Sequence, residues 1–211
     1  MTTPAPTDDT VLEANEIDVS LFWHQNKRNI LLGALAVLVV VGGSLAWYVS
    51  SVLSTRASEA ALSGATDAAG FASVAKDYRG TSAAASATML LASALREEGK
   101  MAESTAAFEQ FLKSYPKHSL AGGALLGIAQ NQDASGDAAA AADTYGQVAE
   151  RYPASYAAPF ASYALAEIHL RDFRRSEARA LFEAIQAEAP DSVVARLAAA
   201  QMSRLGASQA K

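Results

Sequence analysis

Large apolar residues return at a fixed step along the chain: Phe71, Phe108, Tyr145 and Phe182 are spaced 37 residues apart. Val74, Phe111, Val148 and Ile185 keep that step three positions later, and Tyr78, Tyr115 and Tyr152, with Pro116, Pro153 and Pro190, mark the ends of the units. A fixed period of this order signals stacked supersecondary units, each with an apolar face it cannot bury alone. Within a unit the apolar positions fall three and four apart, the helical spacing. Leu91 and Leu95 predict a helix over 82–98, and Phe108, Phe111 and Leu112 one over 101–115, with Gly99 turning the chain between them. The next unit uses Leu125, Ile128 and Ala129, a turn at Gly136-Asp137, then Ala141, Tyr145 and Val148. A third uses Leu165, Ala166 and Ile168, a turn near Asp172 and Phe173, then Ala178, Phe182 and Ile185. Upstream, Asp67 is placed to cap a helix carrying Phe71, Val74, Ala75 and Tyr78, which Gly80 ends. A last helix near 192–204 is expected to close the stack with one solvated face.

A second pattern precedes the repeats. Residues 30–49 read ILLGALAVLVVVGGSLAWYV, without a charge. At about 1.5 Å per residue such a helix crosses the roughly 30 Å hydrocarbon core of a bilayer. The run is longer than a signal-peptide core and follows a tail of nearly thirty residues, so an uncleaved anchor is expected. Phe22, Trp23, Trp47 and Tyr48 bracket the span where amphipathic rings favour the headgroups, and Lys27 and Arg28 before it outnumber Arg56 beyond it, which sets the N-terminus inside. The expected organisation is therefore a cytoplasmic tail at 1–26, a transmembrane anchor at 27–53 and an outer repeat domain at 54–211. Residues 1–9 are polar enough for disorder, and 13–23 suit a short juxtamembrane helix. Because 50–65 contains no proline, the span is expected to run on into the first helix of the stack, as a stalk. The Ala-rich, Lys-poor composition points to a bacterium, hence to a single-pass inner-membrane protein with a periplasmic repeat domain.

Charge and chemistry narrow the function classes. The net charge is −5, and 54–211 carries 15 basic against 17 acidic side chains, so no basic field exists to hold nucleic acid. The absence of cysteine excludes disulfides, thiolate metal sites, a cysteine nucleophile and a lipidated cysteine. His24, His118 and His169 stand isolated, without a second ligand at helical spacing, and no nucleotide, hydrolase or metalloprotease motif occurs. No catalytic residue, metal or cofactor is expected. Glu97-Glu98 reads as a solvated turn, Gly122-Gly123 and Gly42-Gly43 as close helix approach, and Gly42 with Ala46 as one small-residue pair compatible with helix association. Arg171, Arg174, Arg175 and Arg179 form the one basic cluster, read as a salt-bridged turn.

The units resemble a tetratricopeptide repeat, which has small residues where its two helices cross, aromatics on the second and a closing proline. Leu91, Ala92, Gly99, Ser104, Phe108 and Pro116 occupy those positions in the first full unit, and Ile128, Ala129, Gly136, Ala141, Tyr145 and Pro153 in the second. The third offers Leu165, Ala166, Ala178, Phe182 and Pro190, departing with Phe173 where glycine is usual, and every unit lacks the early tryptophan. The expected fold class is all-α: a single transmembrane helix, then a tetratricopeptide-like hairpin solenoid. Tail, anchor and repeat domain together resemble the YfgM-like family, the ancillary subunit of the SecYEG translocon. That resemblance implies a non-enzymatic protein whose partners are translocon subunits, periplasmic chaperones and exported chains. The alternative is a self-associating scaffold for division or wall assembly.

If the stack curves as these repeats do, first-helix positions facing away from the partner helix line a groove. They are Ser86, Met89, Ser93 and Arg96 in the first unit, Gly123, Leu126, Gln130 and Asp133 in the second, and Phe160, Tyr163, Glu167 and Leu170 in the third. Met89, Leu126, Phe160 and Tyr163 give an adaptable apolar floor suited to extended protein segments.

Overall fold

The computed structural model describes residues 19–207, and among these every regular element is an α-helix. They run α1 (Val19–Gly64), α2 (Ala68–Asp77), α3 (Ser82–Glu97), α4 (Met101–Ser114), α5 (Ala121–Ala134), α6 (Ala138–Arg151), α7 (Ala157–Arg171), α8 (Arg175–Glu188) and α9 (Val193–Ala207). The chain divides into two compact units between Leu53 and Ser54, and each is taken by itself. The tail 1–18, including the disorder expected at 1–9 and most of the helix expected at 13–23, lies outside the described residues.

In the first unit, α1 is long and apolar enough to cross a membrane, with an 18-residue window of mean hydropathy 2.4. None of that stretch is covered by other parts of the chain. Leu31, Leu35, Leu38, Val40 and Leu45 all point outward, an arrangement that water penalises and hydrocarbon does not. Trp23, Trp47 and Tyr48 are exposed on the same helix, as are Lys27 and Arg28.

In the second unit the 37-residue step is a packing register. Ala92, Ala129 and Ala166 on the first helices, and Ser104, Ala141 and Ala178 on the second, are all fully buried, because at these points the two backbones cross too closely for a larger side chain. The Ser104 hydroxyl uses the proximity, donating to the Ala92 carbonyl at 2.7 Å across the crossing. One turn on, Phe108, Tyr145 and Phe182 enter the core, followed by Phe111, Val148 and Ile185. Burial of each is worth roughly 1.5–3 kcal/mol. From α2 to α9 each helix packs on its neighbours in sequence, and the first helices α3, α5, α7 and α9 also touch one another in series. One apolar core runs from α3 to α7, and a second joins α7, α8 and α9, so α9 closes the stack with one face buried and Val193 and Leu197 exposed on it.

Caps and turns explain the boundaries. Asp67 accepts from the Gly70 N–H at 2.8 Å, as the sequence predicts, and Thr81 and Asp137 cap α3 and α6 in the same way. The turns inside the hairpins need a left-handed residue, which Gly99 and Gly136 supply at φ of 78° and 86°. At the equivalent place in the third unit Phe173 is held at φ 61°.

Candidate protein-binding groove

The touching first helices form an open face, and three polar pairs tie it together from helix to helix. Arg96 of α3 donates from Nη1 to Gln130 Oε1 of α5. Arg171 of α7 reaches back to Asp133 of α5, its Nη2 lying 2.6 Å from Oδ1. Gln201 of α9 donates to Glu167 of α7 at 3.5 Å. Between them lies a cavity of about 350 Å³ lined by Asp133, Glu167, Leu170, Arg171 and Gln201. Three of these five, Asp133, Glu167 and Leu170, are residues that the sequence places in a groove. Arg171 and Gln201 are additions. Arg171 reads in sequence as part of a solvated basic turn, and Gln201 as part of a capping helix. The pairs join positions about one repeat apart without keeping the 37-residue step: 38 residues from Asp133 to Arg171, and 34 from Glu167 to Gln201, as from Arg96 to Gln130.

The electrostatics of this patch come from below as well as from its rim. Tyr145 rises from α6 with its ring buried, and burial followed by the nearby Asp133 carboxylate pushes its hydroxyl up to about 12. Tyr163 is also raised, first by burial, while a hydrogen bond from Gln201 works against the shift. Both phenols therefore stay protonated donors at neutral pH. The other arginines of the basic cluster are local: Arg174 pairs with Asp172 at 3.2 Å and Arg179 with Glu183 at 2.8 Å.

The remaining groove candidates separate by burial. Gln130, Phe160 and Glu167 are exposed, with Phe160 retaining 46% of its surface, enough for an aromatic anchor. Ser86, Ser93 and Arg96 are half-buried. Met89 and Leu126 lean on the main core, and Tyr163 and Leu170 on the second one, so these four form a floor that also holds the helices together. Tyr163 stacks on Phe182 with ring centroids 5.4 Å apart. Gly123 is fully covered: a Cβ there would lie 2.2 Å from the Tyr156 hydroxyl, so Gly123 serves close approach and offers no groove surface. Gly122 and Gly127 act alike, a Cβ on Gly127 falling 2.4 Å from the Phe108 ring.

With this geometry in view, residues 86–118 and 123–155 match the tetratricopeptide-repeat family model. These two stretches are tetratricopeptide repeats. The matched stretches include α4 and α6 whole, with most of α3 and α5. The third unit keeps the tetratricopeptide packing through Ala166, Ala178 and Phe182 but has Phe173 at the glycine turn. Among solved structures, a tetratricopeptide repeat protein from Parabacteroides merdae is 18% identical with a TM-score of 0.50, over 63% of this chain and 50% of that one. The present chain thus spans half the length of that protein. The type III secretion translocator chaperone SycD of Yersinia enterocolitica is 16% identical with a TM-score of 0.51, over 67% of this chain and 99% of that one. At these identities the likeness is one of fold. No curated protein matches the chain.

Proposed function

We propose that this chain is a membrane-tethered protein-interaction module, organised as a cytoplasmic tail at 1–26, an anchor at 27–53 and a periplasmic repeat domain at 54–211. Its tetratricopeptide groove captures extended protein segments, and no catalysis belongs to it. The observation that carries this reading is the open face of first helices, where Glu167, Leu170 and the Asp133–Arg171 pair line a cavity and exposed Phe160 lies two turns before Glu167 on α7. An apolar anchor beside satisfied polar pairs suits recognition of a main chain with few sequence demands. In the finer reading, the module sits beside the Sec translocon of a bacterial inner membrane and passes exported chains to periplasmic chaperones. The resemblance to the YfgM-like family supports that role, and the fold shared with a secretion chaperone fits it.

The test is crosslinking of tagged full-length protein in its native membrane, with mass spectrometry of what is captured. Because Tyr163 holds the second core through Phe182, the informative variant is Phe160→Ala with Glu167→Ala, which spares it. This variant is expected to keep its helicity and lose at least about tenfold of its partner capture, the loss usual for a central aromatic anchor. Translocon subunits and chaperones among the wild-type crosslinks support the finer reading. Unchanged capture by the variant sinks the groove assignment, and crosslinks to division proteins alone sink the translocon role.

A further inference from the structure

A cleft larger than the one in the groove lies elsewhere in the repeat domain. About 620 Å³ in volume, it opens between the end of α2 and the outer side of α4, and the first helix α3 contributes only Thr88 to its lining. Two cations, Arg79 and Lys113, line it together with one carboxylate, Glu109. Among the described residues no ion pair or hydrogen bond engages any of the three charged groups. The turn between α2 and α3 adds a backbone donor: Gly80, at φ 85°, turns its N–H toward the Tyr115 hydroxyl at 3.4 Å, a long bond that a better acceptor could displace. Ala75 and Ala106 form an apolar part of the wall.

This chemistry is confined to one junction of the stack. One repeat later the positions of Arg79, Gly80 and Lys113 hold Pro116, Lys117 and Glu150, and two repeats later Pro153, Ala154 and Ala187. The proline that closes the other units cannot donate an N–H and carries no charge. The α2 hairpin, which precedes those units, has arginine at that step and thereby gains a cation there, and the glycine after it sets its N–H in a left-handed turn. Two cations against one carboxylate leave a single net positive charge. That balance matches carboxylates met one at a time, and Glu109 disfavours a dianionic phosphate.

We propose that this cleft is a second docking site, independent of the groove, which takes the acidic side chains of an extended partner segment. Arg79 and Lys113 pair with an Asp or Glu carboxylate, the Gly80 N–H joins them, and Glu109 with Gln110 meets main-chain N–H groups of the same segment.

The test uses full-length ¹⁵N-labelled protein in detergent micelles, with the Gly80 amide as reporter. The probes are acetyl-Ala-Glu-Ala-Glu-Ala-amide, its glutamine counterpart and inorganic phosphate. The glutamate peptide is expected to shift the Gly80 resonance saturably, the glutamine peptide to leave it in place, and added salt to weaken the effect. Arg79→Gln with Lys113→Gln, both at exposed positions, should weaken binding at least about tenfold with unchanged helicity. No saturable shift with the glutamate peptide, a shift that survives the double substitution, or a stronger response to phosphate each overturns the proposal. Phe160→Ala with Glu167→Ala should leave this titration unaltered, so failure here and failure of the groove are separate results.

Discussion

His169 shows how a single side chain inherits both the register and its cost. It stands 37 residues after Gln132, and its Nδ1 is buried without a hydrogen-bond partner among the described residues, as is Oε1 of Gln132. Burial first, and then the Arg174 guanidinium, hold the imidazole below its ordinary 6.5. The sign follows from linkage: the unfolded chain takes up the proton at a higher pH than the folded one, so acidification through 6.5 favours unfolding. Asp172 and Glu177, which oppose the shift, do not reverse it. His169→Gln restores the residue type that the preceding unit uses and removes the titration. Between about pH 7.5 and pH 5.5 the wild-type melting temperature should fall further than that of the variant. Parallel falls would show that His169 is solvated well enough to titrate normally.

The hairpin turns show what a sequence discloses about elements and what it withholds. Gly99 and Gly136 were legible as helix stops, and Phe173 as a departure, because a left-handed residue is demanded at one place in each unit. The Phe173 ring is 87% exposed and packs on nothing that would compensate. Phe173→Gly should therefore relieve about 1–3 kcal/mol of backbone strain against about 0.5–1 kcal/mol of added chain entropy, a net gain near 1 kcal/mol. Phe173→Ala keeps the strained φ and should gain little. Denaturant midpoints of the three proteins decide the matter, and equal midpoints would mean that the turn relaxes freely. The helices expected over 82–98 and 101–115 are legible to within a residue, since a 3.6-residue stripe and a fixed repeat constrain one another, whereas the last helix runs three residues past the expected 204. The close approaches over α5 were only half legible. Gly122-Gly123 reads as making room, but that Tyr156 and Ser155 fill the room depends on where α7 begins, so helical spacing alone puts Gly123 in a groove it does not line. The polar ties between first helices were hidden for a related reason. Arg96–Gln130 and Glu167–Gln201 pair across 34 residues and Asp133–Arg171 across 38, so none keeps the 37-residue step that periodicity reveals.

At the scale of the whole molecule the proposed role requires that α1 cross a membrane and that the repeats lie on its periplasmic side, since a cytoplasmic groove could not meet periplasmic chaperones. The outward apolar surface of α1 argues for a span, and Lys27 and Arg28 against Arg56 argue for its direction. The cysteine-free sequence makes a direct measurement clean, because any single introduced thiol is the only one labelled. Ser119 is exposed in the link between α4 and α5, and Thr7 belongs to the tail before the span. With a membrane-impermeant maleimide applied to spheroplasts, Ser119→Cys should label and Thr7→Cys should not until the membrane is opened. The reverse pattern would place the repeats in the cytoplasm and overturn the periplasmic role while leaving the groove and the α2–α4 cleft as they are. Labelling of both before opening would show that α1 does not cross the bilayer. Its exposed leucines and valines would then need another apolar partner, for they are too numerous to be left to water at roughly 1.5–3 kcal/mol each.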